Sequence, residues 1–299
     1  MAGRNDEPTQ AVTQAMIDAY DEYTHLTLDR RGFMSKLTAL AGSATAAAAI
    51  APLLGASKAK AAMIAETDPA IDAVWATYDA AGTEMKAYLA KPSKGEGPFP
   101  AVIVIHENRG LNAHIQDVAR HFATEGFLAL APDFLSSAGG TPPDEDKARE
   151  MIGALDAAKT AREAAATVEW LKTAEGSNGR VGAVGFCWGG GLVNTLATVQ
   201  PDLAAGVAYY GRQAPAEDVP KIKAALMLHY AGLDERINAG IPAFEAALKA
   251  AGTDYEVFVY DGVNHAFNND TSAARYDKAA ADLAWGRTTA FLKDKLGGE

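Results

Sequence analysis

The stretch RVGAVGFCWGGGLVNT, residues 180–195, carries the single cysteine of the chain, Cys187, between an apolar β-type run and small residues that can begin a helix. Gly185 and Gly189 lie two residues to either side of it. This spacing is the nucleophile-elbow pattern G-x-S-x-G with cysteine in place of serine, in which the nucleophile stands on a sharp, strained turn between strand and helix. Glycine is needed at the flanking positions because side chains there would collide with the neighbouring strand and helix.

The helix predicted after this turn affects the reactivity of the thiol. The free amides and the positive dipole end of a helix start favour the thiolate of Cys187 over the thiol. The sequence therefore predicts a reactive cysteine at the end of a strand. The alternative is a small, buried cysteine in a glycine-rich strand end.

Strands and helices alternate along most of the chain. Predicted strands cover residues 73–79, 84–90, 100–106, 127–132, 180–186, 205–211, 224–230 and 254–260. Predicted helices cover residues 112–126, a long region that begins near Thr141, and residues 188–200, 241–252 and 276–296. The first two strands flank a turn and predict an antiparallel pair, whereas the later ones are continuous apolar runs typical of strands buried on both faces. This order predicts an α/β fold, a mostly parallel sheet with helices on both faces.

Composition and charge exclude several classes of function. Of the 299 residues, 48% are hydrophobic and 22% are charged, as in an ordinary globular protein. The formal net charge of −11 argues against nucleic acid as a partner. One cysteine excludes an intramolecular disulfide and a cysteine-based metal cluster. The sequence indicates no metal and no cofactor.

The first 61 residues have the order of a secretion signal. The arginine pair at 30–31 is followed by Phe33, by a weakly apolar run over residues 38–54, and by small residues up to Ala61. The run is too short and too weakly apolar for stable membrane insertion, and the arginine pair resembles a twin-arginine signal, which is read by an export machinery. We expect removal near Ala61, a periplasmic or secreted protein, and one domain over residues 62–299. The alternative is an amphipathic or disordered extension.

A nucleophile needs a base, and the base needs an acidic residue to orient it. In nucleophile-elbow folds the order along the chain is nucleophile, acid, histidine. Asp234 lies just past a predicted buried strand and His265 follows the last one, so both lie at the sheet edge where Cys187 stands. We therefore expect these three side chains to form a catalytic triad. Glu235 and Asp261 compete with Asp234 for the acidic role.

The other histidines fit the role of the base less well. His25 lies in the predicted signal, His114 and His121 lie on a predicted amphipathic helix, and His229 lies in or at the end of a strand. His106 ends the first buried parallel strand. We interpret it as a structural loop residue and not as a second base.

At these residues the chain resembles the dienelactone hydrolase family of α/β-hydrolases, over roughly residues 70–296. The matching motifs are GFCWGG at the cysteine, GLDERI at the aspartate, NHAF at the histidine, IHENRGLN after the first buried strand, and AYYG at 208–211. The resemblance implies an α/β-hydrolase fold. It also implies an enzyme that cleaves the ester bond of a small-molecule ester or lactone, as a carboxymethylenebutenolidase does.

The resemblance further implies roles for residues near the cysteine. The backbone amides of Asn108 and Trp188 correspond to an oxyanion hole, where they meet a developing negative charge. Glu107 matches a glutamate that contacts the resting thiol and helps to manage its proton. The alternative for Glu107 is a loop carboxylate paired with Arg109.

Two departures from the family concern the substrate. The family holds the carboxylate of dienelactone with arginines, one after the second parallel strand and one after the catalytic histidine. Here residues 132–147 contain no arginine and Asn268 follows the histidine, so the bidentate grip on an anion is lost. Arg109, Arg212 and Tyr210 remain as candidates for substrate contact. Dienelactone is not the expected substrate.

The expected reaction is acyl transfer through a thioester. A thiolate, with an ordinary pKa of about 8.5, leaves a tetrahedral intermediate more readily than an alkoxide does. A cysteine therefore suits substrates with an acidic leaving group, such as an enol lactone or a phenyl ester. A redox role would need a second cysteine, which the chain lacks. A non-catalytic ligand-binding domain on the same fold is the remaining alternative.

Overall fold

The computed structural model describes residues 12–25, 28–55, 63–95 and 97–297. The predicted cleavage site near Ala61 lies outside these residues. The chain divides into two compact units, one of Met1–Lys60 with Asn269–Tyr276 and one of Ala61–Asn268 with Asp277–Glu299. The sequence analysis divides the chain after residue 61 and does not predict that Asn269–Tyr276 belongs to the same unit as the N-terminal residues.

The first segment of the N-terminal unit forms three helices over its described residues. Its helices are α1 (Gln14–Thr24), α2 (Arg30–Ala41) and α3 (Ala44–Leu54). Tyr23 stacks on Phe33 with ring centroids 4.8 Å apart, and this pair belongs to an apolar cluster to which all three helices contribute. From the second segment of the unit, Arg275 donates to Asp21 at 3.1 Å and lies over the ring of Tyr20. These contacts join the two segments of the unit.

No single helix among the described residues is long and apolar enough to cross a membrane. The pair α2 and α3 reaches that length and composition only when taken together, and the two helices are bent by 113° at the break between them. A signal sequence near an N-terminus has the same composition. The pair therefore does not distinguish a membrane span from the predicted signal.

The larger unit is built on one sheet, which has eight strands over the described residues. They are β1 (Ile71–Ala80), β2 (Thr83–Pro92), β3 (Phe99–Ile105), β4 (Leu128–Pro132), β5 (Ser177–Phe186), β6 (Ala205–Tyr209), β7 (Ala225–Ala231) and β8 (Tyr255–Tyr260). The order across the sheet is β1-β2-β4-β3-β5-β6-β7-β8. β2 pairs antiparallel with β1 and β4, and the other neighbours pair parallel. The predicted mostly parallel sheet with an antiparallel opening pair is confirmed.

Helices cover both faces of this sheet. They are α4 (Ala113–Thr124), α5 (Glu145–Gly153), α6 (Ala157–Thr173), α7 (Trp188–Val199), α8 (Glu235–Asn238), α9 (Ile241–Ala251) and α10 (Lys278–Leu296). Residues of α4 and α10 pack on one apolar face, and residues of α6, α7 and α9 pack on the other. In β3, Val102 and Val104 lie in the first layer, Ile103 and Ile105 lie in the second, and all four are fully buried. This double burial explains the continuous apolar run of the strand.

The long helical region predicted from Thr141 onward consists of two helices, α5 and α6. Asp144 caps α5 at 2.9 Å and Asp156 caps α6 at 2.6 Å, each by accepting a backbone amide of the first turn. Thr141 lies ahead of both helices and is not a cap, because its hydroxyl donates to Asp133 at 2.8 Å. Asp156 therefore marks the start of a second helix, which is why the region contains two helices and not one.

A buried ion pair on α4 holds the first described residues of the larger unit. Asp117 accepts the backbone amides of Met63 and Ile64 at 2.8 and 2.9 Å. Arg120 donates to the carbonyl of Ile64 at 2.8 Å and to Asp117 at 3.3 Å. Both charged side chains are almost completely buried. The pair fixes the start of the unit, because removing the carboxylate would leave several buried groups without their acceptor.

Replacing Asp117 by alanine should lower the free energy of unfolding by about 3 kcal/mol, since two amides and Arg120 lose a buried acceptor. Urea unfolding measures the loss, and hydrogen exchange should show Met63 and Ile64 losing protection. Asp72→Ala, at an exposed position of β1, is the matched control. Equal stability of the two variants would show that the ion pair does not hold this segment.

Candidate active site

Cys187 stands on the turn between β5, which ends at Phe186, and α7, which begins at Trp188. Its backbone has φ 54° and ψ −113°, a conformation that residues with a side chain rarely adopt and that costs about 1–3 kcal/mol. The amide of Cys187 donates to the carbonyl of Tyr209 at 3.0 Å, and its carbonyl accepts from Gly191 at 3.1 Å. The turn is therefore held by β6 on one side and by the helix start on the other.

Gly185 and Gly189 allow three pieces of backbone to meet at this turn. A Cβ on Gly185 would lie 2.2 Å from the carbonyl oxygen of Gly189. One on Gly189 would lie 2.5 Å from the carbonyl oxygens of Ile105 and His106. Glycine is required at both positions because the ends of β3 and β5 and the start of α7 pack backbone against backbone.

His265 lies between Asp234 and the cysteine. Its Nδ1 bonds to Oδ2 of Asp234 at 2.5 Å, and the other carboxylate oxygen accepts the amide of Ile237 at 3.2 Å. A ring nitrogen of His265 and Sγ of Cys187 lie within 4.8 Å of each other. Both His265 and Asp234 are buried, and Cys187 is half-buried. The structure thus brings together the three residues that the sequence predicts as a triad.

The charges of these groups set the protonation of the imidazole. Burial by itself lowers the pKa of His265, but the negative charges of Cys187 and Asp234, with the hydrogen bond to Asp234, raise it to about 10. Burial has the largest single effect on the pKa of Asp234 and raises it, but the charge of His265, the hydrogen bond to that ring, the charge of Arg236 and the amide of Ile237 together hold the pKa below its usual value. At neutral pH the imidazole of His265 is therefore protonated and lies against the carboxylate of Asp234.

The competing residues lie elsewhere. Glu235 and Asp261 are exposed. His229 is buried in β7, where its ring nitrogens bond to the hydroxyls of Tyr260 and Thr288 at 2.9 and 3.1 Å. Burial lowers the pKa of His229 to about 3, which keeps its ring neutral. It is part of a buried hydrogen-bond network between the sheet and α10.

The remaining histidines of the described residues divide between the two units. His25 ends α1 in the N-terminal unit, and its Nδ1 bonds to the carbonyl of Asp21 at 2.6 Å. His114 and His121 lie on α4, as the sequence predicts, and His121 stacks on Trp285 with ring centroids 4.0 Å apart. His121 is thus a packing residue between α4 and α10.

The residues that correspond to an oxyanion hole lie after β3 and at the start of α7. Asn108 is half-buried in the loop after β3, and Trp188 is the first residue of α7. His106 contacts both segments: its ring stacks on Trp188 at 5.2 Å, and its Nδ1 bonds to the carbonyl of Glu107 at 2.7 Å. Glu107 itself is buried beside them. These contacts agree with the interpretation of His106 as a structural residue.

The three candidates for substrate contact have different surroundings. Arg109 is buried and pairs with two carboxylates at the start of α5, the nearer being Asp146 at 3.4 Å. Arg212 is exposed, and its carbonyl accepts from α7 at 2.8 Å. Tyr210 is buried, with its ring 4.8 Å from that of His265. Arg109 is thus compensated by acidic partners, and Tyr210 packs against the imidazole.

Sequence reasoning missed the backbone strain around His265. Tyr210 has φ 39° and Ala266 has φ 64°, so residues that pack on or follow the histidine share the left-handed region with Cys187. Glycine is the usual sign of this region in a sequence. Tyrosine and alanine give no such sign, and nothing in the residue types could have revealed the strain.

Sequence reasoning also missed a connection between the loop after β3 and the region after β4. Asp133 accepts both the amide and the hydroxyl of Thr141, at 2.7 and 2.8 Å. The hydroxyl oxygen of Thr141 accepts the amide of Leu111 at 2.9 Å. Gly110 fits beneath it, since a Cβ there would lie 2.2 Å from that oxygen. Asp133 and Thr141 are eight residues apart in a loop, and nothing in the sequence indicates that they are hydrogen-bonded.

The fold and the site define a class of protein. A mostly parallel sheet with helices on both faces carries a strained strand-to-helix turn next to a buried His–Asp pair, which is the architecture of an α/β-hydrolase. The model of the Dienelactone hydrolase family matches residues 85–296 of the chain. This chain belongs to the dienelactone hydrolase family, and it is an ester-hydrolysing enzyme.

Individual relatives agree with this assignment. The chain is 35% identical over 252 residues to a "Putative carboxymethylenebutenolidase" of Saccharolobus solfataricus, an alignment that covers 72% of this chain and 96% of the relative. A protein of the same name from Escherichia coli strain K12 is 32% identical over 241 residues, covering 76% of this chain and 88% of the relative. The crystal structure of a "Putative Dienelactone Hydrolase" from Klebsiella pneumoniae has a TM-score of 0.69 at 29% identity, covering 75% of this chain and 98% of that chain.

The Cys187→Ser variant should lower the pKa of His265. A serine hydroxyl keeps its proton, so the variant removes the negative charge that does most to raise the pKa of the imidazole. In an NMR titration of the wild type, His265 should stay protonated until about pH 10. His229 is the internal control, because its titration should be the same in both proteins. An unchanged titration of His265 would show that the sulfur is not its partner.

The raised pKa of His265 also makes folding stability depend on pH. The folded-state value of about 10 lies above the ordinary value of 6.5, so the native state binds the proton more tightly than the unfolded state. The resulting stabilisation is fully present below pH 6.5 and is lost as the pH rises through about 10.

Proposed function

We propose that this enzyme hydrolyses an activated ester or lactone by acyl transfer to Cys187, with His265 and Asp234 handling the protons. The observation that carries the proposal is the hydrogen bond between Asp234 and His265, whose ring lies within 4.8 Å of the sulfur of a cysteine on a strained turn. A thiolate is the nucleophilic form of cysteine. The imidazolium beside it is placed to protonate a leaving group.

In the acylation step, Sγ of Cys187 forms a bond to the carbonyl carbon of the substrate. The carbonyl oxygen becomes an oxyanion, which the backbone amides of Asn108 and Trp188 stabilise. When the intermediate collapses, the carbon–oxygen bond to the leaving group breaks and His265 transfers its proton to the departing oxygen. The products of this step are a thioester on Cys187, a neutral imidazole, and the free enol, phenol or alcohol.

In the deacylation step, His265 acts as a base. The thioester sulfur carries no charge, so the largest influence that raises the pKa of His265 is absent and the neutral imidazole persists. A water molecule attacks the thioester carbon and gives a proton to the imidazole. The carbon–sulfur bond breaks, the carboxylic acid leaves, and the thiolate–imidazolium pair is restored. His265 therefore gives up a proton in the acylation step and takes one up in the deacylation step.

The leaving group determines the class of substrate. In the tetrahedral intermediate, a thiolate with an ordinary pKa of about 8.5 competes with the oxygen leaving group, and the less basic group departs. An alkoxide is far more basic, so attack on an alkyl ester mostly reverts to starting material. Enol lactones and phenyl esters instead proceed to the thioester. We therefore expect an activated ester as the substrate.

The charges around the site favour an uncharged acyl group. Arg109 is neutralised by Asp146 and by its neighbour in the first turn of α5, and the arginine positions of the family at residues 132–147 and 268 hold no arginine. A carboxylate on the substrate would find no bidentate partner at those positions. The relatives are named carboxymethylenebutenolidase, and we do not expect dienelactone to be the preferred substrate here.

Hydrolysis of p-nitrophenyl acetate tests the proposed nucleophile. Cys187→Ala should lower kcat/KM by about 10³-fold or more, and Asp234→Asn by about 10²-fold or more, because the first removes the nucleophile and the second the orienting carboxylate. Asp261→Asn, at an exposed position, is the matched control and should leave the rate unchanged. The wild type should also cleave phenyl esters and enol lactones faster than ethyl esters.

Two results would contradict the proposal. One is activity that survives in Cys187→Ala, and the other is faster turnover of ethyl esters than of phenyl esters. Lactone binding without turnover in the wild type would support the alternative, a ligand-binding domain on the same fold. Iodoacetamide should alkylate Cys187 rapidly below neutral pH in the wild type and slowly in His265→Ala, since the imidazolium maintains the thiolate.

We further propose that residues 1–61 direct export by the twin-arginine machinery, which places the enzyme in the periplasm or outside the cell. The arginine pair at 30–31, the apolar run and the small residues near Ala61 support this proposal. The described helices of the N-terminal unit agree with the alternative of an amphipathic extension. An export assay separates the two.

Replacing Arg30 and Arg31 together by lysine keeps the charge but removes the arginine pair, and it should stop export. Cell fractionation measures the distribution, and mass spectrometry of the wild type should find an N-terminus near residue 62. Lys36→Arg in the same helix is the matched control and should be exported normally. A wild-type chain that stays in the cytoplasm at full length would contradict the proposal.

A further inference from the structure

His106 makes a polar contact with each ring nitrogen while its side chain is completely buried. Its Nε2 accepts the backbone amide of Phe134 at 3.3 Å, and its Nδ1 faces the carbonyl oxygen of Glu107 at 2.7 Å. A backbone amide always donates and a carbonyl always accepts. Nε2 must therefore be unprotonated and Nδ1 must carry the proton.

The surroundings of His106 keep the ring in this neutral form. Burial lowers its pKa, against smaller opposing effects of the hydrogen bond to Glu107 and of the carboxylates of Asp133 and Glu107. The Nδ1–H donor is thus present throughout the neutral pH range. A buried imidazole with one fixed proton is a directional contact and not a base.

The carbonyl that His106 contacts belongs to the same peptide unit as the amide of Asn108. In a trans peptide the C=O and N–H bonds point in opposite directions and lie in one plane. The carbonyl of Glu107 accepts from His106 and also from the amide of Gly110 at 3.3 Å, so its direction is fixed, and with it the direction of the Asn108 N–H. A hydrogen bond into a carbonyl also makes the N–H of that peptide a stronger donor.

The same ring contacts the second residue of the oxyanion hole. His106 stacks on Trp188 with an interplanar angle of 12° and ring centroids 5.2 Å apart. The edge of Phe134 meets both rings, at 5.7 and 5.8 Å. Trp188 begins α7 and supplies the other amide of the proposed oxyanion hole. One buried side chain therefore connects the two backbone segments that must keep a fixed separation.

We propose that His106 is a positioning residue for the oxyanion hole: its Nδ1–H holds the peptide between Glu107 and Asn108 so that the amide of Asn108 points at the reacting carbonyl oxygen. The proposal rests on the function proposed above, because it needs acyl transfer at Cys187. His106 does not touch the substrate, and it acts through the peptide that it orients.

Two substitutions at position 106 separate the two ring nitrogens. The side-chain amide of asparagine reaches the place of Nδ1, so His106→Asn keeps a donor to Glu107. Glutamine reaches the place of Nε2, so His106→Gln keeps the contact with Phe134 and loses the donor. Loss of one oxyanion donor costs about 10²–10³-fold in kcat, and a misdirected donor should cost about 10- to 100-fold.

We expect His106→Gln to lower kcat for p-nitrophenyl acetate by about 10- to 100-fold with little change in KM, and His106→Asn to retain most of the activity. Alkylation of Cys187 by iodoacetamide should be equally fast in the wild type and both variants, because displacement at a saturated carbon forms no oxyanion. His121→Gln is the matched control, a histidine stacked on Trp285 outside the site, and its kcat should be unchanged.

Equal loss of kcat in His106→Asn and His106→Gln would overturn the proposal, and so would a parallel loss of alkylation, since His106 would then act on the fold or on the thiol. If Cys187→Ala stays active, the proposed function fails independently of His106. A measurement on the wild type needs no variant to fold: the ¹⁵N spectrum should show His106 as the Nδ1–H tautomer. An Nε2–H tautomer or an imidazolium at neutral pH would overturn the proposal.

Discussion

The site depends on a close contact between backbone segments that leaves no room for side chains at two glycines. The ends of β3 and β5 and the start of α7 come so close that a Cβ on Gly185 or Gly189 would lie 2.2–2.5 Å from a carbonyl oxygen. This approach puts Cys187 on a turn with positive φ and sets the first amides of α7 beside the loop after β3. His265 and Asp234 come from the loops after β8 and β7. They meet the sulfur only because all parallel strands end at one edge of the sheet.

Electrostatics makes this geometry reactive. The imidazolium of His265 bonds to the carboxylate of Asp234 in a buried place, where charge interactions are stronger than in water and an unpaired charge would be costly. In the proposed mechanism, acylation of the sulfur lowers the affinity of this ring for its proton, so that one histidine serves first as an acid and then as a base.

The fold and the centre of the site could be predicted from the sequence because their signals are local. A strand buried on both faces is a continuous apolar run, and the elbow is a short pattern around Cys187. The connection between Asp133 and Thr141, the strain at Tyr210 and the grouping of Asn269–Tyr276 with the N-terminal residues have no local signal, since each depends on chain that is distant or on backbone angles. His106 is an intermediate case. Its position at the end of a strand predicts a structural role, but its contacts with Glu107, Phe134 and Trp188 could not be predicted from the sequence.

The contacts between the region after β4 and the loop after β3 lie apart from the cysteine turn, in a place where they can influence substrate specificity. The region after β4 is tied to the loop after β3 through Thr141 and through the pair of Arg109 with Asp146, and none of these residues lies on the elbow. Under the proposed function, changes in that region can alter the charge and shape offered to the substrate while Cys187 and the turn that carries it keep their positions. Here the acidic start of α5 occupies an arginine that could otherwise hold a carboxylate. This pairing agrees with the uncharged acyl group proposed above.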